Sequence, residues 1–415
     1  MIISQSKGCF ALRLLDRLLT HMNVVGRLNV IDADGVSHIY GHDDGSDVTI
    51  KLHDKSLHHK LFLNPELHMG EAYMDGRLTI EKGDIRSLLT MFANSRSRLR
   101  SHGVQRVVRA LMKKARRFVR SNTPKAALEN VHHHYDLSNE FYKLWLDTDM
   151  NYSCGYFASD TDTLEQAQQN KLRHIASKLD LKPGQRVLDI GCGWGGMALY
   201  IAAAADVEVL GVTLSTEQLA LARQRATERG LEHRVKFELI DYRKVEGQFD
   251  RIVSVGMFEH VGVAHFSDYF GAIRKLLKDN GVALLHSIGR KGGPGQTGKW
   301  IRKYIFPGGY SPALSETLTV IEKSGLWVTD VEIWRLHYAK TLRIWEQRFQ
   351  AKRAEIATMM DERFCRMWEF YLIASELSFS HGKHMNFQIQ LTNDVKALPL
   401  TRDYMAAAEL MLKKT

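Results

Sequence analysis

The sequence predicts a doubly wound α/β fold, an open and mostly parallel sheet with helices on both faces, preceded by a smaller α+β domain. Three observations carry this. Between about residues 125 and 335 short β-rich runs alternate with periodic helical stretches, and a glycine-dense turn joins one such strand to the next helix. The length of 415 residues exceeds one small domain, at about 100–200 residues each. A composition of 44% hydrophobic and 25% charged residues is globular and excludes wholesale disorder.

Residues 1–95 are assigned to the accessory α+β domain, with strand-like pieces at 47–52 and 77–81 among short helical ones. Apolar Phe10, Leu14, Leu15 and Leu18 are interrupted by Arg13, Asp16 and Arg17, a pattern unlike the core of a signal peptide. Residues 96–124 are assigned to a basic amphipathic helix and linker. The chain carries 57 Lys+Arg against 47 Asp+Glu, a net charge of +10, and the stretch 96–120 contributes ten Lys/Arg and no acid, so the remainder is neutral. So concentrated an excess implies one polyanionic surface, nucleic acid or an anionic membrane. At helical period Val104, Val107, Val108, Leu111, Met112, Ala115, Phe118 and Val119 share one arc, opposite Arg106, Arg109, Lys113, Arg116, Arg117 and Arg120. Such a helix either lies in a lipid interface or packs its apolar face as a strut and shows lipid only the basic one.

Residues 125–415 form the third section, expected to hold the catalytic domain. Its β-rich runs are 186–190, 207–212, 235–240, 249–256 and 282–288, and the last eighty residues read mainly as helix, at 338–360 and 361–379. No apolar run reaches the roughly 18–20 residues that span a bilayer; the longest, 201–214, is broken by Asp206 and Glu208. Cys9, Cys154, Cys192 and Cys365 form no paired motif, which fits a reduced cytoplasmic chain without a zinc site. The adjacent His132, His133 and His134 cannot all face one ion, so no metal is expected.

The run from Val187 through Asp189, Gly191, Gly193 and Gly195 to Gly196 takes a buried strand into a turn that lets a ligand approach the backbone, ahead of a helix N-terminus. Gly191, Gly193 and Gly196 alone would also satisfy a dinucleotide fingerprint. Two details favour S-adenosylmethionine. Asp189 precedes the first glycine by two, as in the DxGxGxG turn of class I methyltransferases. The next strand ends in Gly211–Ser215, without the ribose-binding acid that NAD enzymes place there. Thr213 and Gln218 remain as polar groups for the ribose.

Several ordered blocks then resemble the cyclopropane-fatty-acyl-phospholipid synthases and mycolic acid cyclopropane synthases: His133–Asn139 with Phe141 and Tyr142, Tyr152–Phe157, the glycine turn, Gly211–Ser215 with Gln218, Phe258–Gly262, Leu284–Gly289, Phe306–Gly309 and Tyr338–Leu342. The resemblance implies a class I S-adenosylmethionine-dependent methyltransferase fold, Rossmann-like, over about 125–395. It implies a lid from Tyr152 and Ser153, a cradle from Gly191 and Gly193, a ribose end at Thr213, Leu214 and Gln218, and adenine beside Tyr242 and Arg243. It further implies a bicarbonate ion held by Cys154, Glu259, His286, Ile288 and Tyr338, with Cys154 and Ile288 acting through backbone N–H. Where some members carry a cysteine once proposed as nucleophile, this chain has Ser375.

The implied reaction transfers a methylene group to the cis double bond of an unsaturated phospholipid acyl chain. An isolated alkene is a weak nucleophile, so it needs a sulfonium-like methyl donor, and ring closure needs a base to deprotonate the resulting carbocation. Glu259 is expected to accept the bicarbonate O–H. The alternatives are a relative leaving a methyl or methylene branch, a nucleic-acid methyltransferase, and a non-catalytic lipid-binding protein. The absence of a base-methylating motif argues against nucleic acid, and the intact polar constellation argues against the last. The expected location is cytoplasmic, peripheral at the inner face of the membrane, with a homodimer implied by the family.

Overall fold

The computed structural model describes residues 10–42, 45–95, 98 and 137–413. The basic helix and linker expected over 96–124, residue 98 apart, and His132–Asp136 lie outside these residues. The chain divides into two compact units that are discontinuous in sequence. One joins N-terminal residues to Gly298–Ile305 and Lys352–Gly382; the other takes the glycine turn, Phe306–Ala351 and the residues from Lys383 onward. The section expected to run unbroken from 125 to 415 is therefore interrupted twice.

The first unit holds a four-stranded sheet of order β2-β1-β3-β4, with β1 Arg27–Ile31, β2 Ser37–Gly41, β3 Asp47–Leu52 and β4 Leu78–Lys82. Val48, Ile50 and Leu52 alternate inward along β3, and Leu15, Leu18 and Leu19 of the helix Phe10–Met22 are buried with them in this unit's core. Helix Glu362–Ser380, which carries Ser375, belongs here. Its Glu369 accepts from Tyr73 Oη at 2.8 Å and its Glu376 from Arg86 Nη1 at 2.6 Å.

The second unit is built on a seven-stranded sheet of order β10-β11-β9-β8-β5-β6-β7. Here β5 is Arg186–Ile190, β6 Glu208–Thr213, β7 Val235–Leu239, β8 Phe249–Val255, β9 Leu277–Arg290, β10 Trp327–Trp334 and β11 His384–Thr392. Strands β5 to β9 pair in parallel, while β11 runs antiparallel to both β9 and β10. Neighbouring residues of one strand enter different cores. Val187, Val209 and Val253 join Leu172, Ala198 and Ala222 of the helices Leu164–Lys178, Gly196–Ala204 and Thr216–Glu228; Leu188, Val212 and Ile252 join Phe266, Phe270 and Ile273 of the helix Phe266–Leu276. This is why the parallel strands read as continuous apolar runs.

The C-terminal section departs from the expected helices. Strand β11 was not anticipated, and the expected helix 338–360 is two, His337–Ala351 and Arg353–Met359. The break at Lys352 falls where the chain passes from one unit to the other. Among the described residues no helix is long and apolar enough to cross a membrane.

Candidate active site

Because β5 to β9 are parallel, their carboxyl ends share one edge, and the chain order reverses beside β5, with β6 on one side and β8 on the other. A crevice at such a reversal is where doubly wound sheets place ligands. The cleft there is lined by Asp189, Gly191 and Gly193 of the glycine turn, by Thr213, Leu214 and Gln218 after β6, by Tyr242 and Arg243 after β7, and by Met257 and His260 after β8. Tyr152 and Ser153, ahead of the helix Leu164–Lys178, complete it.

Gly191 has φ +79°, and a Cβ there would lie 2.7 Å from Cβ of Met257; Gly193 has φ +55° and would point a Cβ into open space. The first glycine is required by the backbone. The second leaves room for a ligand to reach the main chain. Asp189 is 1% exposed, and burial raises its carboxyl to about 7 although Lys171 and a backbone N–H pull it down; Oδ2 has no hydrogen-bond partner. An unsatisfied buried acceptor calls for a donor. Lys171, equally buried, is lowered by burial to about 8 against the opposing charges of Asp147 and Asp189. Its Nζ donates to Asn151 Oδ1 at 3.1 Å and Ser153 Oγ at 3.0 Å. The lid residue Tyr152 is packed by Tyr142, Trp145 and Trp345 at centroid distances of 5.6, 5.5 and 5.3 Å.

After β6 Thr213 Oγ1 donates to Gln218 Oε1 at 2.9 Å, and Ser215 caps the helix Thr216–Glu228 by accepting from Gln218 N–H. The cap places Gln218 at the end of β6. Arg243 Nε donates to Asp241 Oδ1 at 2.8 Å, and its guanidinium lies 5.5 Å from the Tyr242 ring centroid.

Glu259 follows β8 on the turn Phe258–His260, with its carbonyl accepting from Tyr310 N–H at 2.9 Å. Glu259 Oε1 accepts from Ile288 N–H at 2.6 Å, while Oε2 is buried without a partner, and burial raises the carboxyl to about 7. His286 on β9 is lowered to about 3 by burial, with Lys171 and Lys178 adding to it, and is neutral. Its Nε2 and Nδ1 lie 3.2 Å from the amides of Asn386 and Gln388 on β11. The segment holding Cys154 is tied to the helix carrying Tyr338 by Gly155 N–H donating to Thr341 Oγ1 at 3.0 Å.

A family model for mycolic acid cyclopropane synthetase matches residues 122–389. The chain belongs to the mycolic acid cyclopropane synthetase family. A second model, of a domain of unknown function, matches residues 15–103. The cyclopropane-fatty-acyl-phospholipid synthase of Escherichia coli K12 is 40% identical over 84% of this chain and 88% of its own length. A probable fatty acid methyltransferase of Pseudomonas putida is 39% identical over 81% and 84%. A mycolic acid cyclopropane synthase solved with SAH and CTAB is 33% identical, covering 64% of this chain and 97% of its own, with a TM-score of 0.61. This member of the cyclopropane synthetase family is therefore an enzyme of the methyltransferase class with the expected Rossmann-like fold.

The structure gathers Tyr152, Ser153, Asp189, Gly191, Gly193, Thr213, Leu214, Gln218, Tyr242 and Arg243 on one cleft. Gly195, expected with them, does not line it. It adopts φ +85° with Phe237 Cζ 2.7 Å from where a Cβ would sit, so it serves the turn. Cys154, Glu259, His286, Ile288 and Tyr338 are not on the cleft lining. Ile288 N–H, expected to face an anion, is instead taken by Glu259. Phe258 stacks on Phe266 at 4.4 Å within the core. Sequence reasoning passed over Lys171, Asn151, Asp241 and His260. Asn151, Asp241 and His260 each adjoin a residue that was singled out, a signal open to use; Lys171 sits on a polar helix and carries none.

Proposed function

We propose that this enzyme binds S-adenosylmethionine in the cleft and transfers a methylene group to the cis double bond of an unsaturated phospholipid acyl chain, forming a cyclopropane. The observation that carries the reading is Glu259, a buried carboxyl with one oxygen fixed and the other unsatisfied, directly beside cleft-lining His260. The open space at Gly193 and the orphaned Asp189 oxygen fit the cofactor's backbone contact and ammonium. When bound, S-adenosylmethionine supplies the electrophilic methyl and bicarbonate the base. Glu259 Oε2 fits as the acceptor of a bicarbonate O–H, and Ile288 holds that carboxyl in place. The relatives' names support the substrate class, and the basic stretch 96–120 suits an anionic phospholipid surface.

Incubation with S-adenosylmethionine and unsaturated phospholipid vesicles, followed by mass spectrometry and proton NMR of the acyl chains, tests this. Cyclopropane protons are expected. The likeness to a probable fatty acid methyltransferase supports a second reading, a methyl or methylene branch, which the same spectra distinguish. Unaltered lipid with methylated RNA would overturn both.

A further inference from the structure

Lys171 is a buried cation on the cleft that the proposed chemistry does not use. An ammonium has donors and no lone pair, so in its 3.0 Å contact Ser153 Oγ must be the acceptor, and the hydroxyl proton is directed away from Lys171. The surrounding bonds leave little freedom in this arrangement. Asn151 Oδ1 accepts from the same ammonium at 3.1 Å while its Nδ2 donates to Asp147 Oδ2 at 2.8 Å. Gln168, one turn earlier on the helix of Lys171, donates to the Ser153 carbonyl at 2.9 Å and the Asn151 carbonyl at 3.2 Å. Asp189 lines the same cleft and acts electrostatically on Lys171, and its Oδ2 is buried without a partner. One region of it thus offers a hydroxyl donor and a carboxylate acceptor, the pair an α-amino acid zwitterion requires.

We propose that Lys171 is a positioning residue for the amino acid end of the cofactor: by donating to Ser153 Oγ it commits that hydroxyl's proton to the ligand carboxylate, while Asp189 accepts from the ligand ammonium. This rests on the assignment of S-adenosylmethionine to the cleft. A purely structural Lys171, neutralising Asp189 and Asp147, would serve all adenosine ligands equally.

Calorimetric titration of the purified full-length protein with S-adenosylhomocysteine and with 5′-methylthioadenosine, which lacks the amino acid end, separates the two roles. Lys171→Met and Ser153→Ala each weaken S-adenosylhomocysteine by about 10- to 100-fold, the range for losing a charged hydrogen bond. Both leave 5′-methylthioadenosine within about 3-fold, and the double variant loses no more than the worse single one, because the residues act as a unit. Wild-type affinity for S-adenosylhomocysteine in Lys171→Met, or equal loss of both ligands in a variant with native circular dichroism, overturns the proposal. Should Lys171→Met fail to fold, Lys171→Leu is titrated in its place with the same selective loss expected, and equal loss of both ligands again overturns the proposal; Ser153→Ala serves as the control for the hydroxyl itself. A wild-type protein binding neither ligand overturns the cofactor assignment itself, and the proposal with it.

Discussion

Glu259→Gln separates the chemistry of Glu259 from its effect on stability. Glutamine has the same shape, and its amide oxygen can keep the bond from Ile288 N–H. What it loses is the titration. Burial raises the carboxyl from 4.5 to about 7, so ionising it in the folded protein costs about 3 kcal/mol more than in the unfolded chain. Between these two values the folded state holds a proton that the unfolded state has released. Stability therefore falls as pH rises through that window and is flat above it. The variant lacks this slope. Urea unfolding followed by tryptophan fluorescence should show the variant gaining on wild type by about 2–3 kcal/mol between pH 5 and pH 8, most of the full cost. Comparing two pH values cancels any fixed cost of the new amide N–H₂ group. Turnover on unsaturated vesicles should fall by about 10²–10⁴-fold, the usual contribution of acid–base function. Full turnover, or a stability gap that does not grow with pH, would refute the role given to Glu259.

Gly191→Ala forces a side chain into left-handed backbone against Met257; it should cost about 1–3 kcal/mol in urea unfolding and sharply weaken S-adenosylhomocysteine binding by calorimetry. His174 lies 3.1 Å from Glu409 and 2.8 Å from Glu332; burial alone would lower it, but these bonds outweigh burial and raise its pKa. The stabilisation is complete below the unfolded histidine value near 6.5 and is lost as pH rises through the raised folded value. Hydrogen exchange, corrected for its intrinsic pH dependence, should therefore show the helix Asp403–Leu412 opening more readily at pH 9 than at pH 6, and His174→Ala should erase the difference. Replacing Arg109, Lys113, Arg116 and Arg117 by Gln should reduce co-sedimentation with anionic vesicles without changing S-adenosylhomocysteine affinity; unchanged vesicle binding would favour a strut.

Much of the cofactor cleft is legible in the chain because its residues follow strands whose apolar runs are themselves visible. Thr213 closes β6 and Asp189 lies one residue from the end of β5, so assigning the strands places them at the shared edge. Strand β11 was missed although its signal is in the chain: Met385, Phe387, Ile389 and Leu391 alternate with Asn386, Gln388 and Gln390, a period of two. Both sets are buried, the amides against His286 and the backbone of Lys178, so polar residues there do not mark solvent.

Local pattern therefore determined the parallel strands, the turn and the class of cofactor, since backbone geometry and strand burial act between near neighbours in the chain. Tertiary packing decided the rest. Helix Glu362–Ser380 joins the N-terminal unit through partners almost three hundred residues away, and no periodicity records that choice. Lys171 reads as one more polar helix residue until the fold buries it and brings Asn151 and Ser153 to its ammonium, which only the tertiary structure does. Ile288 was expected to meet an anion and meets Glu259 instead, because which acceptor reaches a strand N–H depends on the neighbouring strand and the loop that follows it.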